Sequence, residues 1–374
     1  MMKIPLARPD ITEHEIDAIV SVLRTPYLSL GPKLEEFEQR LAEYAGMKYA
    51  IVVNSGTSAL HLIIKALKIG EGDEVITTPF SFVASANCIL FERAIPVFVD
   101  INAKTWNIET DLIEERIGKK TKAILAVDVF GHTAEWDRLW EIAEKYNLRL
   151  IEDAAEALGA EYKGKKAGSL GDGAVFAFYP NKQITTGEGG TVLTNDEEMA
   201  QLCRSLRNQG RSNGGEWLEH ERLGYNYRLS DINCALGIAQ LERVDELLSK
   251  RERIAQLYNK RLQDIDSIVI PFVSPGVKKS WFVYVIKLHD TFHQKDRDKI
   301  LWELRDRGIE CSNYFSPIHL QPFYRTMFGY EEGDFPATEQ IAARTIALPF
   351  YGNMSEKEVD YVCDNLKTLV KSSI

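Results

Sequence analysis

From residue 46 onward the chain alternates short β-branched apolar runs with longer stretches whose apolar residues recur every three or four positions. YAIVV (49–53) leads into TSALHLIIKALKIG, and DEVITT (73–78) into FVASANCILFERA. IPVFVD (95–100) precedes a polar connection, and KAILAVDVFG (122–131) leads into EWDRLWEIAEKY. LRLIED (148–153), AVFAFY (174–179) and GGTVLTND (189–196) follow, the last with a further helical stretch behind it. Seven such runs, separated by helical segments, predict an α/β domain whose mostly parallel seven-stranded sheet is buried on both faces.

The pattern changes near residue 230. Residues 230–263 carry apolar positions at helical spacing for roughly nine turns, one or two helices bridging into another domain. Beyond them SWFVYVIKL (280–288) reads as a strand and KDRDKILWELRDRGI as a helix. SEKEVDYVCDNLKTLVKSS reads as a terminal helix with Ser355 as its N-cap. This gives a large domain over residues 1–250 and a smaller α+β domain over 251–374. A first helix from Thr12 to Leu23 precedes the large domain, and Trp281 and Trp302 fit the core periodicity of the small one.

Composition narrows the class. Of 374 residues 45% are hydrophobic and 27% charged, ordinary for a globular chain long enough for two domains. A net charge of -10 with no basic arm argues against nucleic acid as a partner. No apolar stretch reaches the length of a membrane span, and MMKIPLARPDITEHEI lacks the apolar core of a signal peptide. Five dispersed cysteines without CxxC spacing read as reduced, buried thiols. The expectation is a cytoplasmic protein with no metal site.

In a doubly wound sheet, ligands bind beyond the carboxyl ends of the strands. Three features fall there. In NSGTSAL (54–60) a strand enters a helix through Ser55, Gly56 and Thr57, and free backbone N–H groups at such a start suit a phosphate. The same residues serve equally well as a helix cap. Asp153 ends the strand LRLIED; alone it reads as an N-cap, and no set of ligands at metal spacing accompanies it. Lys182 lies in FAFYPNKQITTGEGG (176–190), where the glycines follow the lysine and no helix starts, so the phosphate-loop pattern fails. A lysine, an aspartate and a phosphate site around one crevice have an economical joint use in pyridoxal 5'-phosphate (PLP). The lysine holds the aldehyde as a Schiff base, and the aspartate pairs with the ring nitrogen. PFSF (79–82) supplies an aromatic cover for the ring.

With those residues in place, the chain resembles the DegT/DnrJ/EryC1/StrS family of PLP-dependent sugar aminotransferases, of the aspartate-aminotransferase fold type I. The likeness runs nearly end to end, through PYLSLGPKLEEFEQRLAEYAG, VNSGTSALHL, TPFSFVASAN, IEDAAEALGA, FYPNKQITTGEGG, GYNYRLSDINCALGIAQLERV, FSPIHLQPFY and IALPFYGNMSEKEV. It implies Lys182 as the Schiff-base lysine, Asp153 as partner of the pyridine nitrogen and Phe82 as the stacking ring. Gly56 and Thr57 would bind the phosphate, and Asn226 would reach the phosphate in a neighbouring subunit, which makes a homodimer with shared sites. Glu156 would lie near the cofactor's 3-oxygen, where relatives often carry glutamine or histidine. Arg228, His319 and Ser29 would line the substrate site. In place of the serine with which many relatives grip the phosphate stands Ala177, so one hydroxyl contact is absent or supplied by Gln183, a water or Asn226.

The implied reaction moves the amino group of L-glutamate to a nucleoside-diphosphate keto-sugar, a 4-keto-6-deoxy sugar foremost, with 3-keto sugars and cyclitol ketones as alternatives. The product is an amino sugar for a polysaccharide or glycoconjugate. Two other readings carry less. Sugar dehydratases of the family replace the lysine by histidine, which Lys182 argues against. A non-catalytic regulator calls for an attached DNA-binding domain, and this acidic chain begins almost at the fold. Glu188 is expected to pin the lysine turn.

Overall fold

The computed structural model describes residues 2–212 and 219–372. Helices α1 (Glu13–Leu23) and α2 (Pro32–Ala45) come first, then β1 (Tyr49–Val53), α3 (Gly56–Ala66), β2 (Glu74–Thr77), α4 (Ala84–Leu90) and β3 (Ile95–Phe98). Next are β4 (Thr121–Val127), α5 (Trp136–Tyr146), β5 (Arg149–Asp153) and two short strands, β6 (Glu161–Tyr162) and β7 (Lys165–Lys166). β8 (Gly173–Ala177), β9 (Gly190–Thr194) and α6 (Glu197–Arg207) complete the sheet region. The seven-stranded sheet has the order β1-β9-β8-β5-β4-β2-β3. β9 runs antiparallel to both its neighbours, and the remaining pairs are parallel.

The unbroken apolar runs follow from that topology. In β1, Ile51 and Val53 pack into one core while Ala50 and Val52 pack into another with Phe37 and Leu41 of α2. In β4, Ala123, Leu125 and Val127 share the first core, and Ile124 and Ala126 face the opposite layer with Trp136 and Leu139 of α5. Successive side chains point to opposite faces, and both faces carry helices, so neither set can be polar.

The long helical run splits into α7 (Asp231–Glu242) and α8 (Val244–Leu262). The break falls at Arg243, whose guanidinium gathers Asp10, Glu15 and Glu246. Behind α8 lies a second core on the antiparallel strands β10 (Ile268–Val269), β12 (Tyr284–Leu288) and β13 (Thr345–Leu348), while β11 (Val277–Lys278) joins β6 and β7 in a small separate sheet. Helices α9 (Gln294–Asp306) and α12 (Glu356–Ser372) cover the second core, and α10 (Pro322–Phe328) and α11 (Pro336–Ala342) lie between them in sequence. Ile4 packs into this second core, held by Ile4 N–H to the Gly308 carbonyl (2.9 Å) and Glu310 N–H to the Ile4 carbonyl (3.0 Å). The chain's first residues thus contribute to a core made otherwise from its last third. Ser355 caps α12 as expected, its hydroxyl accepting from Glu358 N–H while the Glu358 carboxylate accepts from Ser355 N–H.

Trp302 departs from expectation. It is 66% exposed, because α9 turns Arg297, Ile300, Leu301 and Leu304 inward and leaves Trp302 on the outer face; Trp281 is buried. All five cysteines are free and buried. Among the described residues no helix is long and apolar enough to cross a membrane.

Candidate active site

The parallel strands β1, β2, β4, β5 and β8 all end at one cavity of about 700 Å³. Asp153 is the last residue of β5, Val127 of β4 and Ala177 of β8; Gly56 follows β1, and Ser81 and Phe82 follow β2. The cavity therefore exists because the strands share a direction and the chain leaves each of them there.

Asp153 is buried at the cavity floor. Its Oδ2 accepts from the Ser85 hydroxyl (2.7 Å), which lies 2.8 Å from that of Ser81, and its Oδ1 accepts from Ala155 N–H (3.2 Å). Burial raises its pKa, while these donors and the charge of Lys182 act the other way. Lys182 leaves β8 through a turn in which its N–H donates to the Tyr179 carbonyl (2.9 Å). Its Nζ lies 3.6 Å from Glu156 Oε1 and 3.9 Å above the centre of the Phe282 ring. Burial pushes the amine below the ordinary lysine range, opposed by Glu156 and Asp153. Glu156 is buried too, its Oε2 accepting from Phe130 N–H (3.0 Å), and burial raises its carboxyl.

The glycines after Lys182 reverse the chain into antiparallel β9. Thr185 Oγ1 donates to the Phe178 carbonyl (3.0 Å) and accepts from Gly187 N–H (2.9 Å). Gly187 takes the left-handed conformation at φ 82°, which a side chain disfavours. Thr186, rather than Glu188, ties this turn: its hydroxyl donates to the Glu188 carbonyl (2.6 Å), while the Glu188 side chain is exposed at the cavity.

Capping and cavity lining coexist at α3. Ser55 Oγ accepts from Ser58 N–H (3.1 Å), and Gly56 and Thr57 line the cavity. A Cβ on Gly56 would stand 2.8 Å from the Ala177 methyl, so glycine is required where β8 passes the helix start. Phe82, 62% exposed, stands on the cavity wall. An amine, a buried carboxylate and a helix N-terminus around one space are the donor set PLP needs, and the residues present fit it.

The remaining expected residues are placed elsewhere. Gln183 is buried outside the cavity, its amide donating to the Glu156 carbonyl (2.6 Å) and Ser280 Oγ (2.9 Å), so it does not replace the missing phosphate hydroxyl. His319 is fully buried, with Nε2 3.0 Å from Glu339 Oε1; Ile318 and Gln321 beside it face the cavity instead. A 3-10 turn over Ile318–Leu320 puts alternate side chains on opposite sides, which the motif PIHLQPFY does not reveal. Ser29 is exposed, paired across an isolated bridge with Ser230. Asn226 and Arg228 do not line this protomer's cavity, and Arg228 Nη1 donates to Asn208 Oδ1 (3.0 Å) rather than pairing with Asp231. Asp231 instead accepts from Gly31 and Lys33 N–H groups. Tyr225 and Tyr227 stack at 4.8 Å beside buried His61. Phe282, Tyr314 and Phe315, from the small-domain side, line the cavity without any local motif to announce them.

Behind Asp153 lies a second pair of buried carboxyls. Asp128 Oδ1 accepts from Ala134 N–H (2.8 Å) and Trp136 Nε1–H (3.3 Å), and Glu152 accepts from Gly168 and Leu170 N–H groups. Burial pushes Asp128 up to about 7 and raises Glu152 as well. A carboxyl whose folded-state pKa stands above its unfolded one keeps a proton that the unfolded chain has already released. Stability therefore falls as pH rises from the ordinary aspartate value to about 7. Asp128→Asn keeps the Oδ1 contacts and removes the titration, so it is expected to flatten the dependence of Tm on pH between about pH 5 and about pH 8. A variant with the wild-type slope would contradict this origin.

The DegT/DnrJ/EryC1/StrS aminotransferase family matches residues 9–367 of the chain. GDP-perosamine synthase from Caulobacter vibrioides is 39% identical over 96% of this chain and 96% of its own. UDP-4-amino-4,6-dideoxy-N-acetyl-beta-L-altrosamine transaminase from Campylobacter jejuni is 37% identical, covering 98% of each. Among solved structures, Helicobacter pylori PseC, an aminotransferase involved in the biosynthesis of pseudoaminic acid, superposes with a TM-score of 0.94 at 31% identity, over 99% of this chain and 100% of that one. A match over almost the whole length, on a chain that gathers Lys182, Asp153 and the start of α3 at one cavity, places the protein in the DegT/DnrJ/EryC1/StrS family of PLP-dependent aminotransferases.

Proposed function

We propose that the protein transfers the amino group of L-glutamate to a nucleoside-diphosphate keto-sugar, a 4-keto-6-deoxy sugar foremost, giving an amino sugar for a polysaccharide or glycoconjugate. The observation that carries this is the meeting of Lys182, Asp153 and the Gly56–Thr57 helix start in one cavity. Relatives whose names specify a 4-amino-4,6-dideoxy sugar or perosamine support the substrate class.

In this reading PLP, when bound, supplies the electron sink that lets a substrate α-proton be removed. Asp153 holds a proton on the ring nitrogen, Phe82 covers the ring, and Gly56 and Thr57 receive the phosphate at the helix start. Lys182, its amine kept from full protonation by burial, takes the α-proton and returns it on the other side of the transfer. Glu156, with its pKa raised, stays neutral beside the cofactor's phenolic oxygen and does not repel it.

A diphosphate calls for cations. Among the described lining residues Lys182 is the one cation, and the chemistry occupies it. Arg228 and Asn226 are therefore assigned to the partner's site in a homodimer, with Ser29 on the same exposed segment as Tyr27 and Leu28. Phe82 on the cavity rim and Leu223, 83% exposed, are apolar surface that such a partner would cover. Equilibrium sedimentation of the holoenzyme at a single-chain mass would refute the shared site.

Ala177 gives a separate expectation. Ala177→Ser restores a hydroxyl beside the helix start, worth about 1.5–3 kcal/mol to a charged group. PLP should bind at least roughly tenfold more tightly in equilibrium dialysis; an unchanged affinity would mean the phosphate is already fully bonded without it. The reaction itself is tested by incubating the protein with L-glutamate, PLP and a panel of nucleotide keto-sugars and cyclitol ketones, with products read by mass and NMR. Amination of a cyclitol ketone alone would overturn the substrate class.

A further inference from the structure

Arg251, on α8, is a buried guanidinium with no carboxylate partner among the described residues. Its Nη1 donates to the carbonyls of Phe282 (3.1 Å) and Trp281 (3.5 Å), and its Nη2 to those of Lys182 (2.7 Å) and Asn181 (3.3 Å). One planar group therefore joins two segments about a hundred residues apart. One is the turn that carries the cavity lysine; the other enters β12 in the second core. The joint is specific in its consequence, because Phe282 is also the ring on which Lys182 Nζ sits at 3.9 Å. Main chain and side chain of the same two residues are thereby fixed to one another.

We propose that Arg251 is a positioning residue for Lys182, setting the lysine amine against the Phe282 ring and coupling its place to that of the second core. This rests on Lys182 being the cofactor lysine. Only a guanidinium presents donors in a rigid fork that can serve two pairs of carbonyls at once, whereas lysine offers a single point of charge. Its charge also acts on Lys182: burial leaves it near pKa 10, still protonated at neutral pH, and it is among the influences that disfavour a positive charge on the lysine. An aspartate or glutamate partner would cancel that influence; four neutral carbonyls do not.

The test uses the PLP-loaded protein with Arg251→Met, Arg251→Lys and Phe282→Leu. The first readout is the pH midpoint of the cofactor's visible absorbance, followed together with kcat, KM for glutamate and Tm. Arg251→Met removes fork and charge. Its midpoint should move upward by about one pH unit, and kcat should fall by at least roughly tenfold with little change in KM. Arg251→Lys keeps the charge and loses the fork, so its midpoint should stay near wild type while kcat still falls. Phe282→Leu leaves the guanidinium untouched and should lower kcat with the midpoint moved less than in Arg251→Met. If Arg251→Met does not fold, Arg251→Lys and Phe282→Leu still decide. The proposal is overturned if folded variants keep the wild-type midpoint and kcat, or if kcat only tracks Tm across the set. The reading of Lys182 fails separately, by an unchanged absorbance band in Lys182→Ala.

Discussion

Lys182→Ala is expected to abolish turnover, with a loss of at least about 10²–10⁴-fold from the missing proton transfer alone. It should also end covalent retention of the cofactor. Borohydride reduction followed by peptide mass spectrometry should place the PLP mass on Lys182 in the wild type and nowhere in the variant. The fold should survive. Burial holds the amine below its ordinary pKa, so its charge is a cost to the folded state, and Tm of the cofactor-free variant should equal or exceed that of the wild type. Sustained turnover by the variant would remove Lys182 from the mechanism. A collapsed Tm would show instead that its contact with Phe282 is structural.

Asp153→Asn is the second large effect. The substitution keeps the size of the side chain and an Oδ1 acceptor for Ala155 N–H, and an amide in place of Oδ2 can donate to Ser85 Oγ. Only the negative charge is lost. A hydrogen bond to a charged group contributes about 1.5–3 kcal/mol, so kcat should fall by at least about ten- to a hundredfold, with weakened PLP binding. Turnover by stopped assay and cofactor affinity by dialysis check both. Wild-type kinetics in a folded variant would mean that no proton on the ring nitrogen depends on Asp153. Ser85→Ala, which removes one donor to the same carboxylate, should act in the same direction and more weakly.

The β1–β9 sheet was legible because burial on both faces forbids polar positions. Seven apolar runs matched seven strands, and GGTVLT was readable as a strand although it alone runs antiparallel. The second core was less legible. β13 is four residues long and ends before Pro349, and nothing in residues 2–8 signals that Ile4 belongs with Ile309. Trp302 misled because a large apolar residue in a helical run fits the core period equally well one position out of phase.

The sequence by itself determined which residues end strands: Asp153, Ala177 and the Ser55–Thr57 turn are placed by local pattern. Since all parallel strands must end on one side of a sheet, their meeting followed without coordinates. The tertiary structure decided everything that depends on chains approaching from afar. It put Phe282 under the Lys182 amine, seated Arg251 between two pairs of carbonyls and turned His319 into the core beside Glu339. It also spent Gln183 on Ser280 and left Arg228 outside the cavity of its own protomer. Periodicity reports which face of an element is buried, but not which distant segment buries it; that is set by packing between elements, where single residues of either type can satisfy the same period.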